Sequence, residues 1–289
     1  MLSECYDIGG TKIIGALVED GMHAPRILKS IKQPTDSSST KALVAQIKKM
    51  SNELRAGKKP EGVSVCVPGP VKDGVLLGAA PLGWKQHWPA VHELTEVFKT
   101  VVRVDNDLNV AIEAERILGA GKITKNFYLL TLSTGIGAGI VLDGKVVGGL
   151  AGEFGHDVQV TNGEPAACGH LGCWEAYSSG NGLSRAATKV FGKPTTAEEL
   201  FQLAEKGDAK AKELVERARL HNAQGIGSMA NALPMDKVVI MGSIGLNQFI
   251  KVIPTREEVS KFAYVPVPQI ERTSLGENIG ILGCHLALE

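Results

Sequence analysis

The 289-residue sequence lacks an excess of either charge, and it lacks an apolar run long enough to cross a bilayer. Its 31 basic and 31 acidic residues balance. A chain without net charge does not have the composition typical of nucleic-acid-binding domains. Its hydrophobic content of 44% is too high for a disordered chain. We therefore expect a folded protein that binds neither nucleic acid nor a membrane.

Cysteine is scarce and a secretory signal is not evident. The five cysteines, Cys5, Cys66, Cys168, Cys173 and Cys284, are odd in number and scattered, which argues against a disulfide framework. The first residues, MLSECYDIGG, contain neither a basic stretch nor the apolar segment of a signal peptide. We expect a cytoplasmic protein whose length suits one large domain or two ordinary ones.

Glycine is abundant, with 34 residues, and it marks a first hairpin near the N-terminus. Apolar strands are predicted over 3–8 and 13–18, joined by the turn GGTK at 9–12, with a third strand at about 26–33. Backbone amides in such a turn can cradle a phosphate, although an ordinary glycine-rich turn has the same composition. Asp7 favours a functional turn because it places a charge at the end of an apolar strand. The P-loop motif GxxxxGK[ST] does not occur in the chain.

A second hairpin repeats this pattern. A strand at 127–132 leads into STGIGAG at 133–139, a strand is predicted at 140–142, and Asp143-Gly144 forms the next turn. A strand rather than a helix follows the glycines, which excludes a dinucleotide fingerprint. The two hairpins form a weak internal repeat that predicts two similar domains.

Further elements are predicted from periodicity and from start and stop signals. They are helices at 40–55, 108–118, 196–206, 208–232 and 277–288, and strands at 62–67, 101–105 and 237–241. Asp107 lies between strand and helix, where the carboxyl ends of parallel strands place ligands. The alternative interpretation of Asn106-Asp107 is a helix N-cap, a common use of either Asn or Asp. The loop at 79–90 holds two tryptophans that either pack in the core or line a cleft.

Residues 152–180 contain a high density of cysteine, histidine and carboxylate side chains. Thiolates and imidazole are the ligands that tetrahedral zinc prefers, and two cysteines here are five residues apart with histidines nearby. Buried apolar cysteines remain the alternative interpretation. The side chains concerned are Glu153, His156, Asp157, Cys168, His170, Cys173 and Glu175.

Six motifs together resemble the ROK family of sugar kinases, in the actin/hexokinase-like superfamily. The resemblance covers essentially the whole chain, and the order of the motifs makes it specific. They are DIGGTK at 7–12, VPGPV at 67–71, VDND at 104–107, STGIGAGI at 133–140, GEFGH at 152–156 and CGHLGCWEAYSSG at 168–180.

The resemblance implies an α/β fold of two actin-like (ribonuclease H-like) domains with a cleft between them. The expected division is 1–107 joined by the C-terminal helix 272–289, and 108–271. The implied activity is ATP- and Mg²⁺-dependent transfer of the γ-phosphate to the 6-hydroxyl of a hexose or N-acetylhexosamine. N-acetylmannosamine and glucose are the candidate acceptors.

The resemblance also implies roles for individual residues. Asp107 would be the catalytic base. Side chains and backbone at Gly69, Asn106, Glu153, His156 and Glu175 would bind the sugar. The nucleotide, its phosphates and Mg²⁺ would meet Asp7, Gly9, Gly10, Thr11, Lys12, Thr134, Gly135, Gly137 and Gly242.

Two departures from the family pattern leave questions open. The family's zinc motif is a histidine followed by CxCGxxGC, and the first cysteine is replaced here by Ala166. His156, Cys168 and Cys173 remain as Zn²⁺ ligands, with His170 as a stand-in for the fourth. The loop at 79–84 has no asparagine, which many glucose-using relatives carry, so the sugar stays open.

Family resemblance further predicts a homodimer or homotetramer. The alternatives to a kinase are a sugar-sensing repressor and a sugar-binding regulatory protein without kinase activity. Repressors of the family carry an added N-terminal helix-turn-helix, and the first residues here already match a strand.

Overall fold

A computed structural model describes residues 1–147 and 152–288. The chain forms two compact units, one of residues 1–122 with 275–288 and the other of residues 123–147 with 152–274. The helix that follows Asp107, which we had placed in the second domain, packs within the first unit. No helix in the described part of the chain is both long and apolar enough to cross a membrane.

Two five-stranded sheets and a small two-stranded sheet make up the strands. The strands are β1 (Leu2–Ile8), β2 (Lys12–Glu19), β3 (Arg26–Pro34), β4 (Gly62–Val67), β5 (Val71–Lys72), β6 (Val75–Leu76), β7 (Val101–Asn106), β8 (Phe127–Leu132), β9 (Ile136–Leu142), β10 (Lys145–Val146), β11 (Lys237–Met241) and β12 (Gln269–Arg272).

The helices differ widely in length, and the longest is α7. They are α1 (Thr40–Arg55), α2 (Ala90–Phe98), α3 (Asp107–Leu118), α4 (Glu175–Ser178), α5 (Gly180–Phe191), α6 (Ala197–Glu205), α7 (Ala209–Ala232), α8 (Ser243–Asn247), α9 (Phe249–Val252), α10 (Arg256–Ser260) and α11 (Ile279–Leu286). Short 3₁₀ segments occur at Ala80–Leu82, Ala120–Lys122, Phe154–His156 and Gly276–Asn278.

The sheet of the first unit has the order β3-β2-β1-β4-β7. Strand β1 is antiparallel to β2 and parallel to β4, and β4 is parallel to β7. Both faces are covered, so β1 and β4 are buried along nearly their whole length. On one face Tyr6 and Ile8 pack with α1 and α2, and on the other Cys5 packs with α3 and α11.

Local sequence explains α1, whose bounds agree with the prediction. The Ser39 side chain accepts a hydrogen bond from the Ala42 backbone and caps the helix. Apolar residues at helical spacing, including Leu43, Ile47 and Met50, form its buried face. The helix ends where Ala56 adopts a left-handed conformation.

The sheet of the second unit has the order β10-β9-β8-β11-β12, with the same sequence of antiparallel and parallel pairs as the first. The prediction of two similar domains from the weak internal repeat is therefore confirmed. The core of this unit includes Tyr128, Leu130 and Trp174, packed against helices α5, α6 and α7.

One strand boundary in the second hairpin was wrong. Strand β9 begins at Ile136 rather than at residue 140, so Gly137 lies inside the strand and pairs with Thr131. The reason is alternation: Ile136 and Ala138 point into the core, and the intervening glycine occupies the opposite face.

In the first unit, Trp84 and Trp88 are buried and their rings pack edge to face, which supports the packed-loop interpretation.

Candidate active site

The turn between β1 and β2 is closed by its own backbone and by Thr35. The Gly9 amide donates to the Lys12 carbonyl over 2.8 Å, and the Thr35 hydroxyl donates to the Gly9 carbonyl over 2.7 Å. Thr11 and Lys12 are exposed on this turn. The Lys12 ammonium lies 3.8 Å from the carboxylate of Glu277, and because both side chains are exposed this pair contributes little stability.

Gly10, in the same turn, has a packing reason to be glycine. A Cβ atom there would lie 2.5 Å from the carbonyl oxygen of Pro81. The turn therefore sits against the 3₁₀ segment Ala80–Leu82. Glycine at this position is needed for the fold whether or not a phosphate binds.

Asp7 occupies the end of β1, directly beside Cys66 of β4. The Cys66 thiol donates to Oδ1 of Asp7 over 3.4 Å. Burial raises the pKa of Asp7, while the Cys66 hydrogen bond and the charge of Lys12 act in the opposite direction. A carboxylate at this edge of the sheet offers the hard oxygen ligands that Mg²⁺ prefers.

Asn106, and not Asp107, caps helix α3. The Asn106 side-chain oxygen accepts hydrogen bonds from the amides of Leu108 (2.9 Å) and Asn109 (3.3 Å), and its amide group donates to the Gly69 carbonyl over 3.0 Å. Asp107 is the first helical residue, and its Oδ1 accepts a hydrogen bond from the Leu108 amide. The first unit thus brings together Gly69, Asn106 and Asp107.

In the second unit, two carboxylates flank one imidazole. His156 Nε2 lies 3.6 Å from an oxygen of Glu153, and its Nδ1 lies 3.7 Å from Oε1 of Glu175. The Ala167 amide donates to the same Glu175 oxygen over 3.2 Å. The Glu175 side chain is 10% exposed and that of Glu153 is 66% exposed, so Glu175 is the better oriented of the two.

The turn between β8 and β9 is held by the start of α5. The Ser133 amide donates to the Gly135 carbonyl over 3.0 Å, and the Gly180 and Asn181 amides donate to the carbonyls of Ser133 and Thr134. A Cβ atom on Gly135 would lie 3.5 Å from Oε2 of Glu175, at ordinary contact distance. This turn therefore adjoins the carboxylate group of the same unit.

Gly242 ends β11 beside the end of β8. Its φ of +87° is a left-handed conformation, and a Cβ atom there would lie 2.5 Å from the Leu132 carbonyl oxygen. Backbone geometry accounts for glycine at this position.

Two thiols and the same imidazole form a compact group of potential metal ligands. The sulfur atoms of Cys168 and Cys173 are 3.7 Å apart, and the ligand atoms of His156 and both cysteines lie within 4.8 Å of one another. Two thiolates bound to one tetrahedral zinc, with bonds of about 2.3 Å, lie about 3.8 Å apart. Burial raises the pKa of Cys173 to about 11 in the absence of a cation. The donor set and spacing fit three corners of a zinc site.

Among the residues that the structure describes, His170 is not part of this ligand group. The reason is local. The Ala166 amide donates to the His170 carbonyl over 2.9 Å, and Pro165 bridges to Leu171, which places His170 on an exposed turn. Ala166 itself is buried.

Sequence reasoning missed two residues that contact Asp7. Cys66 was noted only as one of several cysteines, and Gly280 lies so close that a Cβ atom on it would be 2.6 Å from Oδ2 of Asp7. The alternation of β4 could have placed Cys66 on the face of Asp7. The C-terminal helix was expected to join the first domain, but no local pattern indicated which of its residues would approach Asp7.

Comparison with known proteins bears on the whole chain. A protein-family sequence model, described as "ROK family", matches residues 4–288 of this chain. The chain belongs to the ROK family. A glucokinase from Halalkalibacterium halodurans is 30% identical, covering 96% of this chain and 92% of its own length. An N-acetylmannosamine kinase from Salmonella typhimurium is 34% identical, covering 85% of this chain and 84% of its own length.

Solved ROK structures share the fold. The ROK hexokinase from Thermus thermophilus has a TM-score of 0.82 at 30% identity and covers 100% of this chain and 99% of its own. A ROK family glucokinase from Streptomyces griseus, solved in complex with glucose and AMPPNP, has a TM-score of 0.82 at 26% identity and covers 99% of both chains. The predicted α/β fold class with two actin-like domains is confirmed.

Proposed function

We propose that this ROK protein is an ATP-dependent sugar kinase that phosphorylates the 6-hydroxyl of a hexose or N-acetylhexosamine, with N-acetylmannosamine or glucose as acceptor. The observation that carries the proposal is the arrangement at the start of α3. Asn106 supplies the helix cap, and Asp107 follows it as the first helical residue, directly after β7. The sugar-kinase names of the curated relatives support the same class of reaction.

Asp107 acts as the general base. It accepts the proton of the sugar 6-hydroxyl as that oxygen attacks the γ-phosphorus, the bond from the γ-phosphorus to the bridging oxygen breaks, and ADP leaves. Asn106 and its bond to Gly69 hold the start of α3 in place.

The glycine-rich turns bind the nucleotide. The Gly9 and Ser133 amides close these turns, and the other backbone amides of residues 9–12 and 133–135 cradle the phosphates, with positive charge added by the Lys12 ammonium. Asp7 would hold Mg²⁺, and magnesium bound with ATP neutralises the charge that builds on the transferred phosphoryl group. Gly242 lies near the nucleoside.

Carboxylates and imidazole of the second unit recognise the sugar. Glu153, His156 and Glu175 accept and donate hydrogen bonds with its hydroxyls. The Ala167 amide fixes Glu175 in one orientation. His156, Cys168 and Cys173 would hold Zn²⁺, which ties the segment around these cysteines to the imidazole and so shapes the sugar-binding surface.

The test of the proposed base is Asp107→Asn, with Asp105→Asn as the matched control on the preceding strand. We expect Asp107→Asn to lower kcat by about 10²–10⁴-fold, the usual effect of losing a general base, while sugar affinity largely survives. Asp105 is exposed and binds backbone and amide N–H groups, roles that an amide oxygen can replace. Full activity of Asp107→Asn would refute the assignment.

A screen of ADP release identifies the acceptor. Glucose, mannose, fructose, N-acetylmannosamine and N-acetylglucosamine are offered with ATP and Mg²⁺, and the sugar with the highest kcat/KM is the substrate. If no sugar stimulates ADP release, the protein is a sugar-binding regulator and not a kinase. The predicted homodimer or homotetramer is tested separately by light scattering.

A further inference from the structure

Cys66 lies on the strand between the two functional carboxylates of the first unit. Strand β4 runs between β1, which carries Asp7, and β7, which leads into Asp107. In the register of the sheet, Cys66 pairs with Asp7 on one side and with Asp105 on the other. A side chain at this position can therefore influence the edge of the sheet where both carboxylates emerge.

Cys66 packs among apolar side chains and contacts Asp7. Its side chain is fully buried in a cluster that includes Cys5, Val110, Ile281 and Cys284. The thiol donates over 3.4 Å to Oδ1 of Asp7. A thiol is a weak donor, but on the protein side of this contact it is shielded from water, where a hydrogen bond is stronger than in bulk solvent.

We propose that Cys66 is a positioning residue that holds the Asp7 carboxylate in the orientation needed to bind the magnesium–nucleotide. The thiol donates a hydrogen bond to Oδ1 of Asp7, and the backbone of α11 at Gly280 packs closely against Oδ2. With both oxygens located, the carboxylate cannot rotate freely away from the turn at residues 9–12. This inference rests on the proposed kinase function, in which Asp7 serves the nucleotide.

Cys5 provides the matched control, because it is also a buried thiol of the same cluster on the same face of β1. Its sulfur lies 3.3 Å from the Ser3 hydroxyl. Removing the Cys5 thiol creates a similar cavity in the same apolar cluster and leaves the Cys66–Asp7 hydrogen bond in place. A difference between the two positions therefore measures orientation of Asp7 and not packing.

The experiment compares Cys66→Ala, Cys66→Val, Cys66→Ser and Cys5→Ala with the wild type. We expect Cys66→Ala and Cys66→Val to raise the KM for Mg·ATP by about fivefold, the effect of losing one hydrogen bond of ordinary strength from a weak thiol donor. Calorimetric titration with Mg·ADP should show a similar loss of affinity, with the KM for sugar unchanged. Cys66→Ser retains a donor and should stay within about twofold of the wild type. Cys5→Ala should match the wild type.

The other possible outcomes would refute the role of Cys66, the kinase function, or both. Normal Mg·ADP affinity in Cys66→Val, which fills the volume without a donor, would show that the thiol only packs, as would equal losses in Cys66→Ala and Cys5→Ala. A wild type that binds Mg·ADP but phosphorylates no sugar refutes the kinase and leaves the binding comparison to test Cys66. A wild type that does not bind Mg·ADP overturns both. Should Cys66→Ala unfold, the Val and Ser variants carry the comparison.

Discussion

At the scale of single residues, Gly135 and Gly242 lie at the ends of strands in the same sheet but are glycine for different reasons. The left-handed φ of Gly242 and the nearby Leu132 carbonyl exclude a side chain on structural grounds. Gly135 has room for a Cβ atom, since its nearest neighbour would be Oε2 of Glu175 at 3.5 Å. A requirement for glycine at 135 therefore indicates the close approach of a ligand.

We predict that Gly135→Ala changes the free energy of unfolding by less than about 0.5 kcal/mol, as a substitution without steric conflict should. Its KM for Mg·ATP should rise severalfold, because the methyl group would block approach to the turn amides. Gly242→Ala is the contrasting variant, and strain should cost it about 1–3 kcal/mol of stability. Chemical denaturation and steady-state kinetics measure both quantities, and an unaltered KM in Gly135→Ala would remove residue 135 from the nucleotide site.

The three metal-ligand candidates lead to a second prediction at this scale. Protein purified without chelator should contain Zn²⁺ by elemental analysis, and Cys168→Ser should contain little, because a hydroxyl is a poorer zinc ligand than a thiolate. Loss of the metal should raise the KM for sugar while the KM for Mg·ATP stays constant. Cys284→Ser, a buried cysteine outside the group, controls for loss of a thiol. Fully active protein without zinc would remove the metal and leave the sugar-binding residues in place.

At the scale of elements, α11 is more than a cover for the sheet. Its first turn approaches Asp7 so closely that Gly280 has no space for a side chain on that face. Farther along the helix, Ile281 and Cys284 pack into the same apolar cluster as Cys66. One short helix therefore completes this apolar cluster and also packs against the Asp7 carboxylate.

We predict that Gly280→Ala lowers kcat/KM for Mg·ATP by at least tenfold, because its Cβ atom would lie 2.6 Å from Oδ2 of Asp7 and displace the carboxylate. Leu282→Ala, a half-buried position on the same helix, serves as the control and should keep wild-type nucleotide kinetics. Wild-type kinetics in Gly280→Ala would mean that Asp7 tolerates displacement and has no strict role.

Elements were predictable from sequence where their pattern is local. Helix α1 has a cap, a periodic apolar face and a stop signal, and strands β4, β8 and β11 are short apolar runs between turns. The start of β9 was misplaced because Ile136 and Ala138 face the core between glycines, and glycine is usually a turn signal. The contact of Gly280 with Asp7 joins residues far apart in the chain, and no local pattern indicates such contacts.

At the scale of the whole molecule, a buried histidine makes stability depend on pH. The His221 ring stacks on Tyr177 with centroids 4.1 Å apart, and its Nδ1 lies 2.7 Å from the side-chain oxygen of Gln159. Burial, and then the charge of Arg217, lower the pKa of His221 to about 4. The folded protein therefore resists protonation at a pH where the unfolded chain, with a histidine pKa of about 6.5, accepts it.

The direction of this pH dependence follows from the linkage between protonation and folding. Above about pH 6.5 neither state is protonated at His221 and its contribution to stability is complete; as the pH falls to about 4, only the unfolded state gains the proton. We predict that this group removes up to about 3 kcal/mol from the free energy of unfolding across that range. Denaturation at several pH values should show a flatter profile for His221→Gln than for the wild type. The exposed His92→Gln should follow the wild type, and parallel profiles for all three would contradict the prediction.

The two sheets share one strand order and one set of strand directions, as expected if an ancestral gene segment was duplicated and fused. Once duplicated, the copies could diverge independently. In the shared register, the positions of Asp7 and Cys66 correspond to Thr131 and Met241. The carboxylate–thiol pair thus belongs to one copy alone. Selection can therefore change this pair in one half of the molecule without a matching change in the other half.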